Sequence, residues 1–351
     1  MKKYFKGLVV VFFVLVLAAC GGESAGSNSD GDGGNSSSAD AIKLSYAFFS
    51  PEKTYPGVVA QTWSNEIKER TDGKVDVDIY FSGTLLDAGN MLDGVANNTA
   101  DIGIVALSYE PGRFPLEEIA EITRGYSTAE VASQVMDTLL QEYPSEVLDQ
   151  YEIIKVFTTD AMAIHSTKPI DSLDALKGEQ IRIGGALTPV LERLGGAPVG
   201  MSNAEQAQAL QTGIISGYVS DRGNLKDVGF AELVGYVTDY PLAITTLVAV
   251  MNKNKYETLP EDVKAEIQAL KVEMPVIAGQ YLDNHIEGVL EWSKEEHGVE
   301  IVSLKDGEKD KWDAKIQELQ DEYVQKAKEK GLPAEEYLGR VHELLEEYSA
   351  K

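Results

Sequence analysis

Thiol and imidazole side chains are scarce in this chain, whose 351 residues include one cysteine, Cys20, and four histidines. A single cysteine cannot form a disulfide within the chain, and it excludes any CxxC metal or redox site. The histidines lack the HExxH spacing of zinc enzymes, and the sequence contains no GxSxG elbow, no P-loop and no GxGxxG after its first predicted strand. We therefore expect no catalytic activity and no cofactor, and we assign no metal ligand.

Positive charge is also scarce, with 31 Lys and Arg residues against 57 Asp and Glu residues. Lys2, Lys3 and Lys6 lie at the extreme N-terminus, so the chain without them carries a formal charge of 28 − 57 = −29. Such a chain repels phosphate backbones, and we expect no nucleic-acid partner. An anionic ligand remains compatible with this charge, because a neighbouring arginine outweighs carboxylates beyond a Debye length of about 8 Å.

The N-terminal apolar run, residues 8–19, has 12 residues, whereas a membrane-spanning helix needs about 20. It follows the three lysines and ends in Leu17-Ala18-Ala19-Cys20, which matches a bacterial lipobox. Residues 1–20 are therefore predicted to be a lipoprotein signal peptide. The lipid would be attached to Cys20 and would anchor an extracytoplasmic protein to the outer face of the cell membrane.

Residues 21–40 are rich in Gly and Ser and contain almost nothing that could be buried. This composition predicts a flexible tether with a reach of about 25 Å. The folded part of the chain is expected to begin near Ala41.

From residue 42 onward, patterns typical of strands alternate with patterns typical of helices. Residues 75–81 alternate apolar and polar side chains, and residues 102–106 are fully apolar. Residues 242–251 form a β-branched apolar run that predicts a strand returning to the first sheet. This alternation predicts an α/β fold.

One predicted helix is unusually long. Residues 260–296 carry a continuous helical stripe of apolar side chains, interrupted by Pro275. A helix of this length would extend about 50 Å, which is more than the width of one small domain. We expect it to brace two domains.

An arginine lies inside an apolar strand in the second half of the chain. Ile181, Arg182 and Ile183 precede Gly184-Gly185, where the backbone can turn sharply or approach a ligand closely. A guanidinium cannot pack comfortably into an apolar layer. Arg182 is therefore expected either to form a salt bridge with Glu179 at a sheet edge or to face a cleft.

Several short motifs occur in a specific order along nearly the whole chain after residue 41. They are residues 63–73 before the strand at 75–81, residues 94–103, PGRFPL at 111–116, residues 177–182, LGGAPV at 194–199 and ALQTG at 209–213. In this order and spacing the chain resembles the solute-binding proteins of TRAP (tripartite ATP-independent periplasmic) transporters, of the dicarboxylate-binding DctP type. The resemblance implies a two-lobed type II periplasmic-binding-protein-like α/β fold, with a long helix bridging both lobes. The first lobe is expected to comprise residues 41–160 and 246–284, and the second residues 161–245 and 285–351.

The resemblance also implies a function without catalytic turnover. Such proteins close around a small organic anion and deliver it to the small and large membrane subunits of a permease. The family's carboxylate-binding arginine falls on Arg182, whose planar guanidinium can hold a carboxylate through two parallel hydrogen bonds.

Further binding residues are expected around this arginine. A second cation of some relatives falls on Lys168, for which a solvated loop lysine is the alternative. Asn203 faces the ligand in relatives, although it could equally cap a helix, and Arg113 is expected to be structural. The remaining candidates follow strand ends of the first lobe, where α/β clefts form, and they are Phe49, Thr84 and Tyr109.

One segment departs from the family pattern. After ALQTG, many relatives have Val-Asp-Gly, then Glu or Asn, and often proline. This chain has Ser216 for the acidic residue, Val219 and Ser220 for the Glu/Asn pair, and Asp221 for the proline. These positions touch or support the ligand in relatives, so Ser220 is a candidate ligand contact and Arg222 a second candidate anchor. A dicarboxylate, a keto acid, a sugar acid and an aromatic acid all remain open.

Two other functions are open from the sequence. The protein could serve as the solute-binding lipoprotein of an ATP-driven importer or of a ligand sensor, and neighbouring genes would distinguish these cases. A lipoprotein hydrolase is a more distant alternative, because the sequence shows no nucleophile with an adjacent base.

Overall fold

Strands and helices alternate along residues 41–350, the part of the chain that this computed structural model describes. The predicted signal peptide at 1–20, the tether at 21–40 and Cys20 lie outside the described residues. The strands are β1 (Ile42–Ala47), β2 (Val75–Tyr80), β3 (Ile102–Ala106), β4 (Tyr151–Thr158), β5 (Ala163–Ser166), β6 (Gln180–Ile183), β7 (Ala197–Gly200), β8 (Gly217–Ser220), β9 (Tyr236–Thr238), β10 (Thr246–Asn252) and β11 (Glu300–Val302). The helices are α1 (Tyr55–Arg70), α2 (Met91–Ala96), α3 (Glu117–Glu121), α4 (Ala129–Glu142), α5 (Leu173–Leu176), α6 (Thr188–Leu194), α7 (Gln206–Gln211), α8 (Asn224–Asp227), α9 (Lys253–Glu257), α10 (Glu261–His297), α11 (Glu308–Glu329) and α12 (Ala334–Ser349).

The strands form two sheets. The first has the order β2-β1-β3-β10-β4, and the second has the order β11-β9-β5-β8-β6-β7. In the first sheet β1 is parallel to β2 and β3, whereas β10 is antiparallel to β3 and β4. In the second, β6 is parallel to β7 and β8, and β5 is antiparallel to β8 and β9. The alternating patterns of the sequence correctly predict this α/β arrangement.

β3 and β10 are neighbours inside the first sheet, and every residue of both strands is buried. Strands covered on both faces are apolar throughout instead of alternating, which explains the continuous apolar run at 102–106. β10 follows the strands β5 to β9 of the second sheet in the chain. The predicted return of the chain to the first sheet is therefore confirmed.

α10 has 37 residues and contains Pro275, and a helix of that length extends about 55 Å. It packs against α1, α4 and β4 beside the first sheet and against α8 beside the second. A Cβ on Gly279 would lie 2.2 Å from the Cα of Glu130, so only glycine permits this close approach to α4. The predicted long bridging helix is confirmed.

The two C-terminal helices pack against each other and share one further partner, α3. α11 contacts α6 and α3, whereas α12 contacts α4 and α3. The C-terminal segment thus touches helices that neighbour both sheets, and the exact lobe boundaries stay a prediction. Within residues 41–350, none of the helices combines the length and the apolar character needed to cross a bilayer.

Candidate functional site

A cavity lies where strand ends from both sheets meet. Its enclosed volume is about 40 Å³, well below the range of about 300–1,000 Å³ usual for small-molecule sites, so the two sides must separate before a solute can enter. The first sheet contributes residues that follow β1, β3 and β4, and the second contributes residues of β6 and β8. The lining residues are Phe49, Ser50, Pro56, Ala106, Ser108, Tyr109, Thr159, Met162, Arg182, Gly184, Asn203, Val219, Ser220, Asp221, Thr245 and Leu247.

Arg182 lies in this lining and is only 4% exposed. Its Nε donates to the carbonyl oxygen of Met201 at 2.9 Å, and its Nη1 donates to that of Val219 at 3.2 Å. Glu179, the alternative partner considered for this arginine, instead accepts from Lys168 Nζ at 3.0 Å and from the Ser216 hydroxyl at 2.7 Å. The guanidinium is therefore held by backbone carbonyls and faces the cavity.

The charge of this guanidinium is not balanced by the protein. Among the described residues, no carboxylate lies within 4.0 Å of Arg182. Its third hydrogen bond goes to the neutral hydroxyl of Tyr109. Three bonds use three of its five N–H donors, which leaves one donor on each terminal nitrogen. These two donors are available to an acceptor in the cavity.

Tyr109 and Asn203 connect the two sides of the cavity. The Tyr109 hydroxyl accepts from Arg182 Nη2 at 2.7 Å and from the Asn203 backbone N–H at 3.1 Å. The Asn203 side-chain amide donates to the Ser50 hydroxyl at 3.2 Å. The rings of Phe49 and Tyr109 pack edge to face with centroids 5.1 Å apart. An aromatic surface thus adjoins the arginine.

The helix-cap alternative for Asn203 does not account for its position. The N-cap of the turn Asn203–Glu205 is Ser202, which forms a reciprocal capping box with Glu205. Asn203 is consequently free to reach Ser50.

The backbones of the two sides approach each other closely at Gly184. A Cβ at this position would lie 2.7 Å from Ser108 Oγ and 3.0 Å from the Ser108 carbonyl oxygen. The sequence predicts a sharp turn or a close approach to a ligand at Gly184-Gly185. In the structure, the residue that lies against Gly184 is Ser108, on the other side of the cavity.

The cavity also contains acidic groups. Asp221 lines it, and Asp160 lies nearby, each being 4% exposed. Burial raises the pKa of both carboxyls, and the charge of Asp221 raises the pKa of Asp160 further. Arg222 opposes this rise, since its Nη1 lies 3.9 Å from Asp160 Oδ2.

Five predicted ligand residues lie together in the lining of the cavity: Phe49, Tyr109, Arg182, Asn203 and Ser220.

The other three predicted ligand residues lie outside this lining. Lys168 is exposed and pairs with Glu179, as expected of a loop lysine. Thr84 is exposed, and its hydroxyl donates to the carbonyl oxygen of Phe81 at 2.8 Å. Arg222 faces Asp160. Arg113 pairs with Glu110 at 2.7 Å, in agreement with the structural role expected for it.

Asp160 and Asp221 are the acidic residues that sequence reasoning did not place at the cavity. Asp221 was marked only as a departure from the family pattern, and Asp160 only follows the end of a strand. Asp160 follows β4 and Asp221 follows β8. This position at strand ends is the signal that could have identified both residues. In residues 41–350, no group of three or more His, Cys, Asp or Glu side chains is arranged to hold a metal ion.

Comparison with known proteins gives a consistent result. Residues 47–327 match the family model DctP, described as bacterial extracellular solute-binding protein, family 7. A solute-binding protein of Chromohalobacter salexigens is 22% identical over 281 residues, which is 78% of this chain and 82% of that protein.

Solved structures extend this likeness to the fold. A TRAP periplasmic solute-binding protein from Desulfovibrio salexigens is 35% identical, with a TM-score of 0.78, and the match covers 89% of this chain and 98% of that one. A TRAP solute-binding protein from an unidentified marine microbe, specific for aromatic acid ligands, is 26% identical with a TM-score of 0.82, covering 88% of this chain and 99% of that one.

These matches confirm the two-lobed type II fold and the predicted family. The family consists of solute receptors and is not a class of enzymes. The chain belongs to the DctP family of bacterial extracellular solute-binding proteins, family 7, the solute receptors of TRAP transporters.

Proposed function

We propose that this chain is the extracytoplasmic receptor of a TRAP-type secondary transporter and that it binds a small carboxylated organic solute in the cavity between its two sheets. The observation that carries the proposal is Arg182, which is 4% exposed and has no carboxylate of residues 41–350 within 4.0 Å. An unpaired buried charge is strongly unfavourable. A ligand carboxylate would remove this penalty by accepting the two remaining N–H bonds.

The ligands of similar proteins support this proposal. The marine protein is in complex with metahydroxyphenylacetate, which carries one carboxylate and one ring. In the Desulfovibrio protein, the C-terminus of a symmetry mate is bound in the ligand-binding site, and a chain terminus also carries a carboxylate. By analogy, Phe49 and Tyr109 would contact the body of the solute while Arg182 holds its carboxylate.

The hydrogen bonds across the cavity are consistent with a receptor that closes on its ligand. The bonds from Arg182 to Tyr109 and from Asn203 to Ser50 join residues of the two proposed lobes, 41–160 with 246–284 and 161–245 with 285–351. A ligand that binds the closed form better shifts the population toward it. The closed receptor would then deliver its solute to the small and large membrane subunits of the permease.

Attachment to the membrane is part of the same proposal. Lipid on Cys20 would hold the folded part on the outer face of the cell membrane, at the end of a tether of about 25 Å. Fatty-acid labelling in cells should mark the wild-type chain and fail to mark the variant Cys20→Ser. Equal labelling of both chains would contradict the anchor.

Ligand binding is tested by thermal unfolding of the mature chain carrying Cys20→Ser. A micromolar ligand at millimolar concentration should stabilise the protein by about 4 kcal/mol. We expect a carboxylic acid to raise the melting temperature and its amide to leave it unchanged.

Arg182→Ala should abolish this shift in melting temperature. Arg193→Ala is the matched control, because Arg193 lies on α6 and pairs with Glu318 and Glu322 away from the cavity. An acid that stabilises both arginine variants equally would refute the role of Arg182.

Delivery to a permease has a separate test. Genes for one large and one small membrane subunit beside this gene would agree with it, and deletion of either subunit should abolish uptake of the bound solute. A neighbouring ATPase or sensor kinase, with uptake independent of such subunits, would contradict it.

A further inference from the structure

The cavity that contains Arg182 also contains a carboxyl group. Asp221 lines it directly after β8. Its Oδ2 accepts from the Ser220 hydroxyl at 3.2 Å and from the Asn224 amide at 2.8 Å. Both donors are neutral, and within the described residues no Lys, Arg or His nitrogen lies within 4.0 Å of this carboxyl. Asp221 thus lacks a counter-ion in the described part of the chain.

A second buried carboxyl, that of Asp160, adds to this negative charge. Neither of its oxygens accepts a hydrogen bond from a side chain. Its counter-ion is Arg222, whose Nη1 lies 3.9 Å away, which is too far for a hydrogen bond. Arg222 is therefore a weak counter-ion for Asp160 and makes no ion pair with Asp221 among the described residues.

The other acidic residues around this pair are already satisfied. Asp227 Oδ1 forms a hydrogen bond of 2.7 Å with His285 Nε2. Asp283 accepts from the backbone N–H groups of Ala129 and Glu130 at 2.8 and 3.0 Å, at the N-terminus of α4, where negative charge is favourable. Asp221 is accordingly the buried carboxyl of this group that has no counter-ion among the described residues, and it lines the cavity.

The cavity thus presents one unbalanced positive group and one unbalanced negative group. A simple organic acid would neutralise Arg182 and leave the acidic side unpaired, which is unfavourable in a buried site. We propose that the solute is a zwitterion, with a carboxylate bound to Arg182 and an ammonium group bound to Asp221. This inference rests on the proposed function and specifies its substrate class.

The raised pKa values of Asp160 and Asp221 agree with this assignment. Burial disfavours the ionised carboxyls, and Arg222 opposes this effect only in part at Asp160. An ammonium group in the cavity would supply a further cation and favour their ionised forms.

The test compares acids that share a carbon skeleton and differ in one substituent. Propionate, lactate and alanine form one set. Phenylacetate, mandelate and phenylglycine form the second, and succinate, malate and aspartate the third. Within each set the substituent is hydrogen, hydroxyl or ammonium, so the affinity ratio isolates the contribution of the positive charge. Calorimetric titration of the mature chain carrying Cys20→Ser gives the dissociation constants.

We expect the amino member of at least one set to bind at least about tenfold more tightly than both other members. Tenfold corresponds to a difference of about 1.4 kcal/mol in binding free energy. Asp221→Asn should remove that preference, because a neutral amide no longer attracts an ammonium group. Asparagine has the same shape and can still accept from Ser220 and Asn224. Asp149→Asn is the control, because it removes the same charge from an exposed residue outside the cavity.

The possible results separate this inference from the proposed function. If an unsubstituted or hydroxy acid binds as tightly as its amino counterpart, with affinity that depends on Arg182, the receptor proposal stands and the zwitterion is refuted. If no acid of any set binds, both proposals are contradicted for these solutes. The comparison of ligands on the wild-type sequence remains decisive even if Asp221→Asn fails to fold.

Discussion

The Tyr109 hydroxyl accepts a hydrogen bond of 2.7 Å from Arg182 Nη2, and this bond joins a residue that follows β3 in the first sheet to a residue of β6 in the second. The ring of Tyr109 also lies near the guanidinium, with its centroid 5.7 Å from Cζ. Arg182 is thus oriented by the opposite side of the cavity as well as by its own sheet. Ligand affinity and the closed arrangement should therefore depend on the same tyrosine.

Tyr109→Phe is expected to weaken ligand binding. The change removes the acceptor for two donors, Arg182 Nη2 and the Asn203 backbone N–H. Leaving a buried donor unpaired costs about 1–3 kcal/mol, so affinity should fall by roughly fivefold or more. Calorimetric titration with a ligand found in the acid screen measures the change. Tyr143→Phe is the control, because that hydroxyl bonds to the exposed Glu336. Equal affinities of the two variants would contradict the bridging role.

Gly184→Ala is expected to impair closure without harming the fold. Its backbone has φ −59° and ψ 142°, which alanine adopts freely. The added Cβ would meet Ser108 Oγ at 2.7 Å, and this clash exists only when the two sides are together. Affinity should therefore fall by about tenfold or more, while the melting temperature without ligand changes little.

Gly185→Ala provides a matched control for that experiment, because a Cβ there would have no heavy atom within 4 Å. It should bind ligand like the wild type. If Gly184→Ala retains full affinity, Ser108 and Gly184 can separate without loss, and the close approach has no part in binding.

The cavity was only partly predictable from the sequence. Local patterns predict strands, helices and the position of Arg182 in a strand, because these depend on neighbours along the chain. The family resemblance supplies Asn203, and the position after strand ends supplies Phe49 and Tyr109. In contrast, the neighbours of Asp221 include Asp160, which is 61 positions earlier (221 − 160). Only the pairing of β4 and β8 with their respective sheets brings the two carboxyls together, and no local pattern records it.

Exposure explains why other predicted binding residues lie outside the lining. Lys168 and Thr84 follow strands, as binding residues often do, but their side chains are satisfied locally by Glu179 and by the Phe81 carbonyl. Sequence alone does not reveal on which side of a strand end a loop side chain lies. The long helix α10 was predictable because its apolar stripe repeats over many turns.

Lys155→Met is expected to stabilise the protein. Lys155 lies in β4, is completely buried, and its Nζ has no hydrogen-bond partner in the described residues. The nearest groups are aromatic rings, with the Tyr46 centroid at 5.0 Å and the Trp63 centroid at 5.3 Å. Methionine has a similar length and no charge to desolvate, so the free energy of unfolding at neutral pH should rise by about 1–3 kcal/mol.

The pH dependence of that difference tests its cause. Burial holds the pKa of Lys155 well below its ordinary value. Between this folded-state pKa and the unfolded value of about 10.4, the unfolded chain binds more protons, and the wild type therefore gains stability as the pH rises. Urea unfolding at several pH values should show the advantage of Lys155→Met shrinking toward high pH. A wild type that instead loses stability relative to Lys155→Met as the pH rises would indicate that interaction with the rings outweighs desolvation, and a constant difference would mean that burial does not shift the pKa of Lys155.

His285→Gln is expected to remove a small stabilisation that exists only at low pH. The hydrogen bond that His285 Nε2 donates to Asp227 Oδ1 at 2.7 Å raises the pKa of His285, and partial burial opposes this rise. The stabilisation is fully present below the unfolded pKa of about 6.5 and is lost as the pH rises through the higher folded-state pKa. Because the imidazole is 24% exposed, solvent screening limits the effect to below about 1 kcal/mol. Glutamine can still donate to Asp227, so urea unfolding at pH 5.5 and pH 8.5 isolates the charge. The exposed His342→Gln is the control, and an equal loss at both pH values would mean that His285 contributes through packing alone.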